Sequence, residues 1–433
     1  MLKQAFMKNF LAIVLICTVS CTWAQQGPDR IYKPNIRTPQ VFKSGDTYSY
    51  PVLRLNSNDQ LELDFDDMDG DVKMYYYTFE LRNSDWSKTI LFPFDYIKGF
   101  SSVRINTYRQ SSIAFTRYTH YQATVPDRNC IPSRSGNYLL KVFLNGDTSQ
   151  VAFTKSMIVV DAKTSVAAQV QQPFNGQRMR VDQKLFITVQ TDNRVNTMGP
   201  QDLKVVVLQN YIWQTALNLN KPTIYRGNYY EYSDENYTSM PAGKEWRWID
   251  LRSLRLMSDR MGRIESGKDR TDIYLRPDGE RQQQLYVYYR DLNGRYSIET
   301  TDNVNPYWQT DYAYSHFSFF PPGNRPYDGK DVYIIGDITN YGSDADAKMI
   351  FNESRGCYEQ TLLLKQGFYN YSYMTTPQTA KPGSSFSFEN TEGNYWGTEN
   401  AYMILVYYRP FGARVDELIG YATVSSLFQN ARN

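Results

Sequence analysis

The sequence predicts an all-β protein with three tandem β-sandwich domains of the immunoglobulin-like or early-set kind. Apolar residues alternate with polar residues or form short runs, and no long segment keeps the 3.6-residue period of a helix. Aromatic residues, which favour strands, make up 15% of the 433 residues, with 37 Tyr, 22 Phe and 7 Trp. This composition is typical of Tyr-rich sheets, and also of sugar-stacking or protein-binding faces.

The first residues predict a secretory signal peptide over residues 1–24. Two lysines precede the apolar run FLAIVLICTVS, and small residues favour cleavage after Ala24. The run is too short to cross a bilayer. Lipoprotein processing at Cys21 is the alternative, but TVSC has threonine where a large aliphatic residue is preferred. We therefore expect an exported chain that begins at Gln25.

Turn signals and linkers divide the exported chain into domains over residues 25–160, 165–302 and 308–433. Strands of the first domain are predicted in SYPVLRL, QLELDF, VKMYYYTFEL, YTHYQATV, NYLLKVFL and VAFTKSMIVV. Those of the second are predicted in KLFITVQT, LKVVVLQN, NYYEY, EWRWIDL, TDIYL, QLYVYYRD and GRYSIET. Those of the third are predicted in DVYIIGDITNYG, AKMIFNESRGCYEQTLLL, GFYNYSYM, AYMILVYYRP and LIGYATV. DAKTSVAAQVQQPFNGQ is predicted as a linker, and LRSLRLMSDRMGRIESGKDR as an exposed loop or short helix.

Charge and cysteine content bound the function. The 47 basic and 45 acidic residues leave a formal charge of +2, which predicts no large field to attract nucleic acid or an anionic membrane. Outside the predicted signal peptide only Cys130 and Cys357 remain, which is neither a disulfide framework nor a zinc pattern. We expect both to be free thiols in different domains.

The stretch DFDDMDGDV, residues 64–72, suggests a calcium loop, but its spacing is wrong. With Gly70 at the sixth position, Phe65 and Tyr76 would occupy the first and twelfth ligand positions. We therefore predict a hairpin between LELDF and VKMYYYTFEL, and no metal. The turn acids, expected to be solvated, are Asp66, Asp67, Asp69 and Asp71.

No catalytic or cofactor-binding residue is predicted. His120 and His316 are the only histidines, and both lie in predicted strands, where a structural role is expected. The chain contains no G-x-S-x-G elbow, P-loop or G-x-G-x-x-G. A carboxylate pair for glycoside hydrolysis stays open, because its separation is spatial.

The third domain resembles early-set immunoglobulin-like domains, including glycogen-binding modules. The shared pattern is a strand ending in Gly-Asp, a hairpin with Arg-Gly, and the run GFYNY. In those modules a tryptophan after the first strand commonly stacks on sugar, whereas this chain has Asn340 and Tyr341 there. An exported carbohydrate-binding protein is therefore kept as the alternative function.

A resemblance to one family covers nearly the whole exported chain. SYPVLRLNSNDQLELDFDDMDGDVKMYYYTFELRNSDW, YTHYQATVP and SGNYLLKVF resemble the first domain of the type IX secretion system plug protein family. The similarity continues through VVVLQN, IWQTAL, YRDLNGRYSI and MILVYYRPFGARVDELIGYATV. Relatives often carry His-Cys-Asn before the Asp-Trp, where this chain has Leu81 and Arg82, so no reactive role is expected there.

The resemblance implies a periplasmic protein that binds the outer-membrane type IX translocon barrel and seals its periplasmic opening when no cargo is in transit. It offers no catalytic residues, and the partner-binding residues are unknown. It implies no nucleic acid and no small-molecule substrate, with membrane contact through the translocon alone.

Overall fold

The computed structural model describes residues 28–380 and 385–427, so the predicted signal peptide lies outside the described residues. The described chain is nearly all β and forms packed sheets, which confirms the predicted fold class. Three apolar cores define three domains. In the described ranges no helix has the length and apolar character needed to span a membrane.

Domain 1 packs a six-stranded sheet on a four-stranded sheet. Its strands are β1 (Arg30–Ile31), β2 (Ile36–Lys43), β3 (Val52–Arg54), β4 (Leu61–Asp67), β5 (Tyr75–Arg82), β6 (Ile97–Gly99), β7 (Val103–Arg104), β8 (Thr107–Gln110), β9 (Thr119–Val125), β10 (Cys130–Pro132), β11 (Gly136–Leu144) and β12 (Val151–Val160). Helix α1 is Pro93–Tyr96. The larger sheet runs β1-β12-β11-β5-β7, with β3 parallel to β12, and the smaller runs β2-β4-β9-β8. Strands β6 and β10 form a separate two-stranded sheet.

Period-2 alternation explains how the larger sheet finds its core face. In β5 every second residue is buried, beginning with Tyr75 and ending with Leu81. Leu81 lies opposite Tyr138 of β11 in the antiparallel register. Since successive side chains of a strand point to opposite faces, this alternation buries one face and leaves the other accessible.

Strands β4 and β5 do not form the predicted hairpin. They pair in different sheets, so the acidic stretch between them crosses from one layer of the sandwich to the other. The rings of Phe65 and Tyr75 meet edge to face across the core at 5.0 Å. Alternation identified both strands, but it does not specify the partner of a strand, and here burial of both apolar faces against each other prevails.

Domain 2 begins with strands β13 (Thr164–Gln171), β14 (Asp182–Thr191), β15 (Leu203–Gln209), β16 (Leu217–Leu219), β17 (Ile224–Arg226), β18 (Tyr229–Tyr232) and β19 (Ser239–Pro241). Helix α2 is Glu235–Thr238, and short 3-10 turns lie at Pro200–Asp202 and Trp213–Thr215. One sheet runs β13-β14-β18-β17, with β19 on β14. Strand β13 lies within the segment predicted as a linker.

Domain 3 is two further sheets. Its strands are β20 (Arg247–Asp250), β21 (Met261–Ser266), β22 (Thr271–Leu275), β23 (Asp278–Gly279), β24 (Tyr296–Ser297), β25 (Tyr312–Phe320), β26 (Lys330–Ile335), β27 (Ile350–Asn352), β28 (Cys357–Lys365) and β29 (Phe368–Pro377). The 3-10 turns are Pro322–Asn324, Asp337–Thr339 and Ala345–Ala347. One sheet runs β20-β29-β24 with β26 on β29, and the other runs β21-β22-β25-β28-β27 with β23 on β25.

Two sequence predictions fail inside domain 3. QLYVYYRD alternates like a strand, but residues 284–290 adopt no regular structure, and Leu285 and Val287 are exposed. The charged run predicted as a loop or short helix contains β21, which pairs with β22. A segment becomes a strand only where a neighbouring strand is available to pair with it, and the alternation of apolar and polar residues does not show whether one is.

The last two strands, β30 (Ala401–Tyr408) and β31 (Glu417–Ser425), return to domain 2. The second sheet of domain 2 runs β16-β15-β30-β31, with Val205 opposite Val406. Domain 3 is therefore inserted between β19 and β30. The predicted boundaries 165–302 and 308–433 are therefore wrong, because they place β30 and β31 in the third domain. They rest on the expectation that strands adjacent in sequence stay in one domain.

An apolar interface joins domains 1 and 2. The indole rings of Trp86 and Trp213 meet edge to face at 4.9 Å. Beside them, the Tyr407 hydroxyl donates to Asn137 Oδ1 at 2.6 Å, and both residues are buried. This interface has the composition of a domain core, which favours a fixed arrangement of the two domains.

We expect Ile404→Ala to destabilise domain 2 by about 2–5 kcal/mol, since it leaves a cavity in a fully buried site. Hydrogen exchange by mass spectrometry should then show lost protection in β14 and β15, which share the core of Ile404. Loss of protection confined to β25 and β28 would contradict the nested arrangement.

Candidate functional site

The buried acids of β4 and the histidine of β9 form a charge cluster inside the molecule. Asp66 lies opposite His120 in the ladder between these strands. His120 Nδ1 is 2.8 Å from Asp66 Oδ1, and its Nε2 is 3.3 Å from Asp64 Oδ1. All three side chains are buried. The expectation that the acids of this stretch are solvated is therefore wrong for Asp66 and Asp67, both fully buried.

Lys365 reaches this cluster from β28 of domain 3. Its ammonium donates one hydrogen bond to Asp66 Oδ2 and another, of 2.6 Å, to the carbonyl oxygen of Tyr307. The ammonium also lies 4.4 Å from the centre of the Tyr118 ring. The Tyr312 hydroxyl donates to the same carboxylate oxygen at 2.6 Å. Sequence analysis missed Lys365, although a lone lysine in the apolar run TLLLK was a usable signal.

The protonation equilibria of the cluster follow from burial and from its neighbours. Burial alone would raise the pKa of Asp66, but Lys365 and His120 outweigh it and hold that pKa below its usual value. Burial lowers the pKa of Lys365, and Asp66 opposes this shift. Burial likewise raises the pKa of Asp64. Burial would lower the pKa of His120, but the neighbouring carboxylates of Asp64 and Asp66 outweigh it and raise the pKa.

This arrangement joins domains and is poorly suited to catalysis. Both ring nitrogens of His120 face carboxylates, and Tyr307 stacks on the ring at 5.1 Å. A general base must come within hydrogen-bonding distance of a substrate proton. An imidazole enclosed in this way is not accessible to a substrate. The predicted structural role of His120 agrees with these contacts.

A lysine neutralises the last three acids of the acidic stretch, of which Asp67 is buried and the other two are exposed. The carboxylates of Asp67, Asp69 and Asp71 lie within 4.8 Å of one another. Lys73 Nζ lies among them, 2.8 Å from Asp67 and 3.3 Å from Asp71, and it also bonds to Asp69. An ammonium in the centre of the group supplies the positive charge that a cation would otherwise bring.

The second histidine and the two cysteines have structural surroundings. His316 Nε2 is 2.8 Å from Asp272 Oδ1, and its ring stacks on Tyr274 at 4.4 Å. Cys130 and Cys357 are free and buried in domains 1 and 3 respectively. Burial raises the pKa of the Cys130 thiol to about 12, which disfavours the reactive thiolate.

A second buried charge network lies within domain 3 and was not predicted. Arg247 Nη1 is 2.6 Å from Asp278 Oδ1, and its Nε is 2.9 Å from Glu392 Oε1. Arg281 also bonds to Glu392. Burial would raise the pKa of Glu392, but the two guanidinium groups lower it to about 2. The network ties residues after β29 to β20.

The position that carries the sugar-stacking tryptophan in glycogen-binding modules lies at the junction of all three domains. Asn340 Nδ2 donates to the Asp29 carbonyl oxygen in domain 1, and its own carbonyl accepts from Gln214 Nε2 of domain 2 at 3.1 Å. Tyr341 is buried against Trp246. Neither side chain offers a free face to a glycan, which disfavours the carbohydrate alternative at this position.

A cleft of about 1190 Å³ opens between domains 1 and 2. Its aromatic lining includes Tyr50 and Tyr211, whose ring centres are 4.5 Å apart. The guanidinium of Arg295 from domain 3 lies 5.1 Å from the Tyr50 ring centre. These rings therefore pack the three domains against one another at the base of the cleft.

Comparison with known proteins gives one family match. Residues 36–161 match the model described as "Type 9 secretion system plug protein 1st domain". Domain 1 thus matches the first domain of the type 9 secretion system plug proteins. The predicted resemblance is confirmed over this plug-family domain, which contains the Asp64, Asp66 and His120 cluster.

A solved structure extends the likeness beyond the plug-family domain. A hypothetical protein from Parabacteroides merdae ATCC 43184 is 29% identical, with a TM-score of 0.87. The match covers 92% of this chain and 98% of that chain, so the two proteins share all three domains in the same arrangement. No curated protein matches the chain.

Lys365→Met should cost about 3–5 kcal/mol in the free energy of urea unfolding, because it removes the ammonium and leaves the Asp66 carboxylate buried. Lys348→Met is the matched control: it breaks an exposed 2.6 Å ion pair with Asp331 in the same domain, and should cost less than about 1 kcal/mol. Adding Asp66→Asn to Lys365→Met should cost less than the sum of the single changes. Equal, small losses in the two lysine variants would show that the interdomain pair is not stabilising.

Asp291 should make stability depend on pH. Burial first, and then the carboxylates of Glu399 and Glu245, raise its pKa to about 7, while the backbone N–H groups of Trp246 and Asn293 oppose the shift. A raised acid pKa favours the folded state at low pH, and this contribution is lost as pH rises from about 4 to about 7.

Asp291→Asn cannot ionise, and it keeps a side-chain oxygen for one of the two backbone donors, because Trp246 N donates to Oδ2 and Asn293 N to Oδ1. We expect the melting temperature of this variant, relative to that of the wild type, to be higher at pH 8 than at pH 4. Asp269→Asn, at an exposed turn, is the control. A difference between Asp291→Asn and wild type that does not change with pH would contradict the assignment.

Proposed function

We propose that the chain is a periplasmic plug subunit of the type 9 secretion system. It binds the periplasmic opening of the outer-membrane translocon barrel and closes it when no cargo is in transit. The family of domain 1 supports this proposal. The main structural support is that buried polar and apolar contacts hold the three domains in one fixed arrangement.

The physical requirement for a plug is rigidity. The lumen of a barrel widens with strand number, and a lumen wide enough for folded cargo is filled with water. A plug of loosely linked domains would leave gaps. Here an enclosed ion pair joins domains 1 and 3, and a tryptophan pair joins domains 1 and 2. The body therefore presents one fixed shape to the opening.

The function also requires release. Plug and cargo compete for one lumen, so binding of either excludes the other. A near-neutral formal charge of +2 is compatible with an interface that is moderate in strength and easily reversed. His120 and His316, the two histidines of the chain, both make structural contacts with aspartates, which supports a role in binding over one in catalysis.

We expect cargo to displace the protein from the translocon. Cargo at a hundred times its dissociation constant should weaken plug binding by about 2.7 kcal/mol, roughly a hundredfold in affinity. The measurement is co-purification with the barrel from membranes in which cargo flow is running or stalled. A deletion strain should also leak a large antibiotic through empty channels.

Complementation of the deletion strain with two variants sharpens this test. Lys348→Met should restore the seal, whereas Lys365→Met, which loosens domain 3 on domain 1, should restore it incompletely at equal protein level. A protein that never co-purifies with the barrel, or that stays equally bound when cargo fills the lumen, would refute the proposal.

A further inference from the structure

A group of apolar side chains projects from domain 1 into solvent. It lies in residues 90–100, between β5 and β7, and in the paired strand β10; we name this feature the phenylalanine loop. Phe94 is 79% exposed, Ile90 and Phe100 are each 68% exposed, and Phe92 is 63% exposed. Side chains of this size are normally covered, so a contiguous exposed group indicates a contact surface.

The loop is anchored so that these rings stay outside. Tyr96 and Ile97, within the same residues, are buried in the core of domain 1. The backbone N–H of Phe92 donates to Asp95 Oδ2 at 2.9 Å, and Arg134 Nε donates to the Asp95 carbonyl oxygen at 2.8 Å. A loop held at its base and braced by these bonds cannot fold its rings back onto the domain.

Apolar and charged side chains are exposed together in this part of domain 1. In the β6–β10 ladder Lys98 lies opposite Ile131, so both side chains project to the same side, away from the buried pair Ile97 and Pro132. Phe100 follows directly after β6 and is also exposed. The rings of Phe92 and Phe94 stack at 5.6 Å.

Positive charge surrounds the apolar face. The exposed cations of the loop and of its flanking turns are Lys88, Lys98, Arg104, Arg128 and Arg134. The same segments contain three acids, Asp85, Asp95 and Asp127, so the five cations outnumber them. The surface is therefore locally basic, although the chain as a whole is close to neutral.

We propose that the phenylalanine loop inserts into the surface of a bilayer that contains anionic phospholipid. Phenylalanine and isoleucine side chains reach the boundary between headgroups and acyl chains, and flanking lysine and arginine pair with lipid phosphates. A fluid bilayer accommodates exposed apolar side chains without a preformed pocket. This contact is direct, and adds to the membrane association expected through the translocon.

The composition of the face favours lipid over a protein partner. Anchors of protein interfaces are enriched in Trp, Tyr and Arg, and they fill pockets near the centre of a flat patch. Here the anchors are Phe and Ile, which have no polar atom to pair, and each is at least 63% exposed. The inference does not depend on the proposed plug function, since it concerns a lipid surface and can be tested without a translocon.

The test is flotation of the exported chain with vesicles of phosphatidylglycerol mixed with phosphatidylethanolamine, compared with phosphatidylcholine vesicles. We expect binding to the anionic vesicles, weakened by salt because the cations are exposed. Phe92→Ser with Phe94→Ser should lower the partition coefficient by about tenfold or more, since two rings leave the acyl boundary. Lys98→Gln should lower it by about fivefold.

Matched controls remove the same chemistry elsewhere. Phe174→Ser with Phe411→Ser deletes two phenylalanines of domain 2 that are 85% and 92% exposed, and Lys221→Gln removes an exposed lysine. These controls should bind vesicles like the wild type.

Three outcomes would overturn the proposal. In the first, the wild type and the Phe92, Phe94 variant bind vesicles equally. In the second, the Phe92, Phe94 variant and the Phe174, Phe411 control lose vesicle binding equally. In the third, the wild type binds no vesicle. The loop would instead be assigned to a protein partner by one further result. In that result the Phe92, Phe94 variant no longer binds detergent-solubilised translocon but still binds vesicles like the wild type.

Discussion

Lys365 extends from the third domain into the first and places its ammonium on the carboxylate of Asp66. Two charges removed from water are tolerated only when each finds its partner and the remaining polar atoms are bonded. Tyr312, Thr38 and His120 complete that requirement around the carboxylate. The geometry of the whole body depends on this contact, because separating the domains would leave both charges without their partners.

The nested chain path reinforces the same constraint. Domain 3 is inserted between β19 and β30 of domain 2, so it is attached to that domain by two chain connections and held on domain 1 by the ion pair. Domain 1 in turn packs on domain 2 through Trp86 and Trp213. Each domain thus contacts the other two, and movement of one requires breaking buried contacts with both. A sealing body benefits from this stiffness.

The distribution of charge shows how a nearly neutral chain can still carry a strongly polarised surface. Many of its acids are used internally: Asp64 and Asp66 lie beside His120, and Glu392 beside two arginines. Several cations remain outside, as in the phenylalanine loop. Net charge therefore describes the solution behaviour of the whole chain. The balance of positive and negative side chains around an apolar face decides which kind of surface that face binds.

The sequence by itself determined the all-β class, most strand positions and the family of domain 1, because period-2 alternation and local motifs are written along the chain. It did not determine which strands pair. The apparent hairpin at residues 64–72 joins two sheets, and β30 pairs not only with its sequence neighbour β31 but also with the distant strand β15. The pairing of Lys365 with Asp66 was equally invisible, since it links residues far apart in sequence. Only tertiary structure decides such contacts, because they are selected by the joint burial of surfaces that no local pattern encodes.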